Sequence, residues 1–253
     1  MGKSIAVAGK GGTGKTTLTG LLLRYLAEKG LKPVLAVDAD ANANLSEVLG
    51  VEVPGTIGDL REGMKTEVPL GMTKEAYMEY NIQKILVETG TYDLLVMGLP
   101  EGAGCYCYAN ALCKKFIDFM INEYDYVVMD NEAGLEHLSR LLTKDIDLLM
   151  VVSDPSLRGI RTAGRIKELI EKLRLNIKKL ALVINRAPEA GISAEAHQLI
   201  EKLGLELAGV IPEDPVIAQF DREGKPTVEI PDDAISYRGL SEIMAAIFPL
   251  YLQ

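Results

Sequence analysis

The feature that most constrains this chain is a glycine-rich loop between a short apolar segment and an amphipathic one. Residues 9–16 read GKGGTGKT and match the pattern G-x-x-x-x-G-K-[ST]. The run Ser4–Ala8 precedes the loop, and leucines at helical spacing follow it. A strand that passes through such a loop into a helix surrounds a phosphate with backbone N–H groups, and the helix dipole adds to the attraction.

The residue types in this loop predict individual roles. Glycines allow the backbone to turn its N–H groups inward. The Lys15 ammonium is expected to reach the β- and γ-phosphates, and the Thr16 hydroxyl is expected to ligate Mg²⁺. The expected nucleotide-binding residues here are Gly11, Gly12, Thr13, Gly14, Lys15, Thr16 and Thr17.

A second pattern is nested in the same loop. Gly9, Gly11 and Gly14 satisfy the G-x-G-x-x-G of dinucleotide-binding folds, and Asp38 stands where those folds place a ribose-binding acid. Lys15-Thr16 decides between the two patterns, because a magnesium triphosphate needs this pair and the pyrophosphate of NAD does not. The loop therefore indicates a nucleoside triphosphate.

Apolar runs alternate with helical patterns along the rest of the chain. This alternation predicts an α/β fold with a mainly parallel central sheet of about seven or eight strands flanked by helices, in a single domain over residues 1–253. We expect a loop and one added helix between Val51 and Gly90. The expected strands are Ser4–Ala8, Val34–Val37, Asp93–Met97, Tyr126–Met129, Leu148–Val152, Leu180–Ile184 and Leu207–Ile211. One expected helix follows the glycine loop and ends before Gly30. The other expected helices cover Ser156–Leu173, Ser193–Leu203 and Asp233–Phe248.

The composition of the chain limits the classes of partner that it is expected to bind. The net charge is -9, which argues against a general affinity for nucleic acid, since such binding needs a basic surface. No apolar stretch reaches the roughly 18 residues of a membrane span. Three cysteines are too few for a disulfide framework, so a reducing, cytoplasmic location is expected.

Carboxylates follow two of the expected strands. Asp38-Ala39-Asp40 ends the second strand, and Asp130 ends the run Tyr126–Met129. Because open α/β sheets bind ligands at the carboxyl ends of their strands, these acids are expected to face the phosphates. Asp130 is an expected magnesium-side acid, held directly or through water. Asp38 and Asp40 can provide a second such acid and a group that orients the attacking water, although a turn-capping role for one of them also fits.

The cysteines form a C-x-C pattern at Cys105 and Cys107. In an extended loop both thiols project to one side and can share a soft metal. Two thiolates half-fill a tetrahedral zinc site, and two copies meeting on a dimer axis supply four. Buried, unligated cysteines are the other interpretation, and Cys113 need not point the same way.

The loop Lys10–Thr16 resembles that of the ATPase family containing the septum-site protein MinD, partition ATPases and the nitrogenase iron protein. This resemblance implies ATP as the nucleotide and a homodimer in which Lys10 reaches the partner's nucleotide. It also implies that Asp40 orients the attacking water, which makes Asp38 the magnesium-side acid of the pair, direct or through water. Gly134 is expected to donate an N–H to the γ-phosphate. The adenine-side residues that it implies are Asn185, Arg186, Pro212, Glu213 and Asp214. Glu132 departs from the proline of many relatives, which leaves the geometry of that loop open.

Within this family, the C-x-C pattern together with Asp130-Asn131-Glu132-Ala133-Gly134 resembles CooC-type ATPases. That resemblance implies nickel or zinc bound by Cys105 and Cys107 across the dimer. It further implies delivery to a client nickel enzyme of the carbon monoxide dehydrogenase type. The alternative is a MinD/ParA-like regulatory or nucleotide-sensing ATPase without metal delivery. The region Asp130–Leu135 has no cysteine, which excludes an iron-protein type of cluster.

Overall fold

The computed structural model describes residues 2–40, 42–98, 121–131 and 146–251. Its strands are β1 (Lys3–Gly9), β2 (Val34–Ala39), β3 (Val87–Glu88), β4 (Asp93–Val96), β5 (Tyr126–Asn131), β6 (Leu148–Ser153), β7 (Leu180–Ala187) and β8 (Leu207–Pro212). Its α-helices are α1 (Lys15–Glu28), α2 (Leu45–Leu49), α3 (Ile57–Thr66), α4 (Lys74–Ile85), α5 (Leu157–Leu173), α6 (Ala194–Lys202), α7 (Pro215–Glu223) and α8 (Ile235–Tyr251). Short 3₁₀ turns lie at Ile121–Glu123 and Thr227–Glu229.

The strands form one eight-stranded sheet in the order β3-β4-β2-β5-β1-β6-β7-β8. Each neighbouring pair is parallel except β3 with β4, which is antiparallel at the edge. The predicted α/β class and strand number are confirmed. All seven expected strands are present, and β3 is the addition.

Both faces of the sheet are covered, which explains why the strands read as continuous apolar runs rather than alternating ones. On β1, Ile5 and Val7 pack with α1 and α8, whereas Ala6 and Ala8 belong to the core on the opposite face. All four side chains are essentially inaccessible to solvent. The strand that leads into the glycine loop is therefore anchored from two sides.

The expectation for Val51–Gly90 is wrong in one respect, because the region holds two helices and not one. Thr56 and Asp59 form a reciprocal capping box at the start of α3, and the Thr73 hydroxyl caps α4. Tyr77, Met78 and Ile82 of α4 pack into the core. Both helices contain many polar residues, IGDLREGMKT in α3 and KEAYMEYNIQKI in α4, so apolar periodicity alone does not predict the pair.

Capping residues mark the starts of two further helices and the end of a third. Ser156 and Ser193 accept hydrogen bonds from the first turns of α5 and α6. Gly30 follows the C-cap of α1 with a φ of +67°, as expected for a left-handed helix stop. None of the helices in the described ranges is long and apolar enough to span a bilayer.

Candidate nucleotide and magnesium site

The glycine loop joins β1 to α1 with backbone conformations that favour glycine. Gly12 has a φ of +79°, and Gly14, the N-cap of α1, has a φ of +87°. A Cβ on Gly14 would lie 2.5 Å from Nδ2 of Asn185. Glycine at this position therefore serves both the turn and the close approach of β7.

Two side chains at the end of β7 hold the glycine loop in place through hydrogen bonds to its carbonyl groups. Asn185 Nδ2 donates to the Thr13 carbonyl at 2.9 Å, and Arg186 Nη1 donates to the Gly12 carbonyl at 3.1 Å. Arg186 adopts a φ of +57°, a conformation that costs energy for a non-glycine residue and is frequent at functional sites. These bonds point loop carbonyls toward β7, which leaves the N–H groups for a ligand.

The two lysines of the glycine loop, Lys10 and Lys15, lie in different environments. Lys15 is buried, and its Nζ lies 3.4 Å from the Lys10 carbonyl across the loop. Lys10 is exposed and is not among the residues that line the adjacent cleft. The Lys15 ammonium is thus held within its own loop, whereas Lys10 projects to solvent.

Asp38 and Asp130 form a buried pair of carboxyls on adjacent strands. They face each other in the register of β2 and β5, and they are 0% and 1% exposed. Asp38 accepts backbone N–H bonds from Asp40 and Leu45, each at 3.0 Å. Asp130 accepts from the Thr19 hydroxyl at 3.3 Å. Asp38 thus also fixes the loop between β2 and α2, so its capping role and its position beside the phosphate loop coexist.

Burial raises the pKa of Asp38 to about 6 and the pKa of Asp130 to about 7. A hydrogen bond from the Thr16 hydroxyl lowers the pKa of Asp130, and the neighbouring Asp38 charge raises it again. A hard divalent cation prefers carboxylate and hydroxyl oxygens, and this cluster offers both beside the phosphate loop. The donor set fits the Mg²⁺ that the sequence predicts.

Asp40 lies at the mouth of the site and is half-buried. Its Oδ1 accepts from the backbone N–H of Asn42 at 2.9 Å and from the Asn42 side chain at 3.0 Å. These bonds hold the carboxylate in the cleft wall, and no hydrogen bond from the described residues engages Oδ2. A carboxylate held in this way can orient a water molecule.

A cleft of about 970 Å³ extends from the phosphate loop along α1. It is lined by the loop, by Asp40 and Asn42, by α2, and by the segment Gly224–Thr227. A smaller cavity of about 200 Å³ lies beside it, with Thr17, Asn185, Arg186, Pro212, Glu213 and Asp214 in its wall. The fold therefore brings the expected adenine-side residues together next to the phosphate loop.

Asp214 connects two helices at the wall of this cavity, a role that the sequence does not indicate. Its Oδ1 caps α7 through Val216 N–H at 2.9 Å, and its Oδ2 accepts from the N–H and hydroxyl of Ser236 at 2.9 and 2.7 Å. The carboxylate thus joins the start of α7 to the start of α8. Thr19, one helical turn after Thr16, is a further site residue that the sequence reading missed.

Gly134, Cys105, Cys107 and Cys113 lie outside the described residues. Within the described ranges, no group of three or more His, Cys, Asp and Glu side chains is placed to hold a metal. The cysteine-based metal site therefore stays a prediction.

The chain is similar in sequence to known nucleotide-binding proteins. Residues 4–228 match the model of the CobQ/CobB/MinD/ParA nucleotide binding domain. An ATP-binding protein of Methanocaldococcus jannaschii is 45% identical over 252 residues, covering 96% of this chain and 97% of the relative. The carbon monoxide dehydrogenase accessory protein CooC of Rhodospirillum rubrum is 30% identical over 235 residues, covering 87% of each chain.

The fold is also similar to solved structures. The cell division ATPase MinD of Pyrococcus furiosus superposes with a TM-score of 0.72 at 28% identity, covering 99% of this chain and 100% of that one. MinD of Pyrococcus horikoshii, complexed with Mg-ADP, gives a TM-score of 0.71 at 27% identity, covering 98% and 96%.

Proposed function

Because the chain belongs to the CobQ/CobB/MinD/ParA nucleotide-binding family, we propose that it is an ATP-hydrolysing homodimeric switch that carries nickel or zinc to a client metalloenzyme. The observation that carries the ATPase half is the buried pair Asp38 and Asp130 beside the loop that ends in Lys15-Thr16. Two carboxyls that burial makes costly to ionise are compensated when a divalent cation binds. ATP is the expected nucleotide because the relatives are described as ATP-binding.

Each residue of the site has a separate task in this proposal. The N–H groups of residues 11–16 bind the phosphates, and Lys15 neutralises the charge that develops on the transferred group. Thr16, Asp38 and Asp130 would hold Mg²⁺, which supplies charge neutralisation at the phosphates. Asp40 orients the water, and its Oδ1 bonds to Asn42 keep the carboxylate in place.

Dimerisation is proposed from the exposure of Lys10. Its side chain projects from the loop instead of lining its own cleft, so a facing copy of the chain can bring it to the partner's nucleotide. Closure would then depend on ATP. Hydrolysis would remove the contact and relax the loop after β2, since Asp38 joins that loop to α2 through Leu45 N–H.

Metal delivery is proposed from sequence and from one relative. Cys105 and Cys107 provide two thiolates per chain, and a dimer provides the four that a tetrahedral site takes. The relative from Rhodospirillum rubrum is named an accessory protein of carbon monoxide dehydrogenase, a description that fits delivery to a nickel enzyme. In this proposal the metal is cargo and is released when the dimer opens.

The second candidate is a MinD/ParA-like regulatory ATPase without cargo. It is favoured by the similarity to MinD of Pyrococcus furiosus, which covers the whole of that structure. The two candidates share the nucleotide site and differ in what the ATP-bound dimer binds. Metal stoichiometry separates them.

The experiment combines turnover with metal analysis. Purified protein should hydrolyse Mg-ATP, and equilibrium dialysis against nickel or zinc should give one tightly bound ion per two chains. Cys105→Ser and Cys107→Ser should each abolish this binding, because a hydroxyl is a poor ligand for a soft metal. Cys113→Ser is the matched control and should bind normally.

Three outcomes have distinct meanings. ATP turnover with no tight metal binding would favour the regulatory candidate. One ion per monomer with Cys113 required would contradict the shared site. Metal affinity that stays constant across protein concentrations spanning the monomer–dimer transition would also contradict it, since linkage requires the dimer to bind better.

A further inference from the structure

We infer that Gly20 is a positioning residue for hydrolysis, because it allows α2, the helix after the Asp40 loop, to lie directly against α1. The inference rests on the proposed ATPase. It adds a residue that belongs neither to the glycine-loop motif nor to the residues that line the cleft. Gly20 acts on the site only through the position that it gives to α2.

Gly20 is buried in the interior of α1, five residues after Lys15. Glycine weakens a helix interior relative to alanine, so helix propensity does not account for it here. A Cβ on Gly20 would overlap with Cγ1 of Val48 in α2, and it would lie 3.5 Å from Cγ1 of Val228. The absence of a side chain therefore gives Val48 the space that it occupies beside the α1 backbone.

The position of α2 determines the position of the loop that carries Asp40. The Leu45 N–H, at the start of α2, donates to Asp38 Oδ2 at 3.0 Å. Within the loop, the Ala43 N–H donates to the Asp40 carbonyl at 3.1 Å. Because the loop is held by β2 at one end and by α2 at the other, a displacement of α2 also displaces Asp40.

Of the two helices in this contact, α2 is the one that must move when a methyl group is added at Gly20. It has five residues and buries only Leu45 and Leu49, whereas α1 has fourteen residues and a row of buried leucines. Valine has one strongly preferred χ1 rotamer in a helix, so rotation of Val48 does not relieve the overlap. Since carbon atoms pack at about 3.5–4.0 Å, the added methyl should shift α2 by about 1 Å.

The test measures phosphate release and Mg-ADP binding in Gly20→Ala. The variant should lower kcat about 100-fold, because a displacement of about 1 Å misplaces the Asp40 carboxylate. Its affinity for Mg-ADP in calorimetry should stay within about 3-fold of native, since the phosphate-binding residues precede Gly20 and are not displaced.

The double variant Gly20→Ala/Val48→Ala tests the contact itself. It lacks Cγ1, and the remaining Cβ of residue 48 lies 3.7 Å from the added methyl, which is an ordinary contact distance. The double variant should therefore regain kcat to within about 5-fold of native. A role in general stability alone predicts no such recovery of turnover.

Gly164→Ala is the matched control. Gly164 is a buried glycine in the interior of α5, where a Cβ would lie 2.9 Å from Cδ1 of Leu203, and it does not line the cleft. This variant should turn over ATP as the native protein does. A second readout needs no ATP: exchange of the Leu45 amide hydrogen, followed by NMR, should be about 10-fold faster in Gly20→Ala and return toward native in the double variant.

The outcomes separate this inference from the proposed function. Native turnover by Gly20→Ala, no recovery in the double variant, or a parallel loss of ADP affinity would each overturn the inference. If Gly20→Ala does not fold, the double variant should still fold and hydrolyse ATP, and its failure would also overturn the inference. A native chain without ATP turnover would contradict the proposed ATPase, and Leu45 exchange would then decide whether Gly20 positions α2.

Discussion

Replacing the buried carboxyl of Asp130 by an amide is expected to stabilise the nucleotide-free protein while impairing its magnesium site. Burial raises the pKa of Asp130 to about 7 from an ordinary 3.8. The ionised side chain is therefore disfavoured in the folded state relative to the unfolded chain. Asparagine avoids ionisation, and its oxygen can still accept from the Thr19 hydroxyl.

The magnitude follows from proton linkage. The folded state binds the Asp130 proton more tightly than the unfolded state does, so native stability falls as pH rises from about 4 to about 7 and is level above that range. At pH 8 the shift corresponds to about 4 kcal/mol, and at pH 5 to about 2 kcal/mol, since one pKa unit is worth 1.36 kcal/mol. The gain of Asp130→Asn over the native protein should shrink accordingly at the lower pH.

Urea unfolding followed by far-ultraviolet circular dichroism measures this difference at both pH values, without nucleotide or Mg²⁺. The chain has no tryptophan, so dichroism is preferable to intrinsic indole fluorescence. Adding Mg-ATP should stabilise the native protein more than the variant. The reasoning would be refuted by a variant that is less stable than the native protein at pH 8, or by equal differences at the two pH values.

Asp147→Asn provides a control of opposite sign. Burial alone would raise the pKa of Asp147, but hydrogen bonds from Lys178 and Ser4 lower it overall. Its contribution to stability is therefore present at neutral pH and is lost as pH falls below about 4. Asp147→Asn should destabilise the protein at pH 8, in contrast to Asp130→Asn.

Further expectations concern turnover and local structure. Asp40→Ala should bind ATP normally but hydrolyse it about 100-fold more slowly in a phosphate-release assay, because a positioning group is lost. Lys10→Ala should hydrolyse poorly and also dimerise less in sedimentation with ATP; near-normal dimers would contradict its role across the interface. Gly14→Ala should destabilise the fold by about 1–3 kcal/mol, because it strains a φ of +87° and meets Asn185. Arg24→Ala should cost about 2–3 kcal/mol in urea unfolding, since the guanidinium donates to the Val228 and Ile230 carbonyls and stacks on Tyr237; a change under 0.5 kcal/mol would contradict this.

Local patterns were sufficient for much of the fold. Short apolar runs predict all of the expected strands, and serine caps mark the starts of α5 and α6. The failure in Val51–Gly90 had a readable signal, because Thr56 and Asp59 stand at capping-box spacing before Leu60. The short strand β3 had none, since two residues at a sheet edge carry no periodicity.

In the candidate site, too, local sequence predicts some residues, whereas the roles of others depend on tertiary packing. Motif spacing placed Lys15, Thr16 and Asp130 together because strand ends in a parallel sheet converge. The shared role of Asp214, which joins α7 to α8, depends on Ser236 more than twenty residues later and cannot be read from local sequence.

The position of β1 in the sheet affects how the protein can fold while it is being synthesised on the ribosome. Lys3 pairs with Tyr126, and Ile5 pairs with Leu148, so both neighbours of β1 are made long after it. At about 5–20 residues per second, the roughly 120 residues before β5 take about 6–25 s to synthesise. During that interval β1 lacks both of the strands that pair with it, and the phosphate loop has no Asp130 beside it. Premature release of a chain cut before β5 should therefore yield an aggregating fragment, and chaperone protection on the ribosome should matter most in this window.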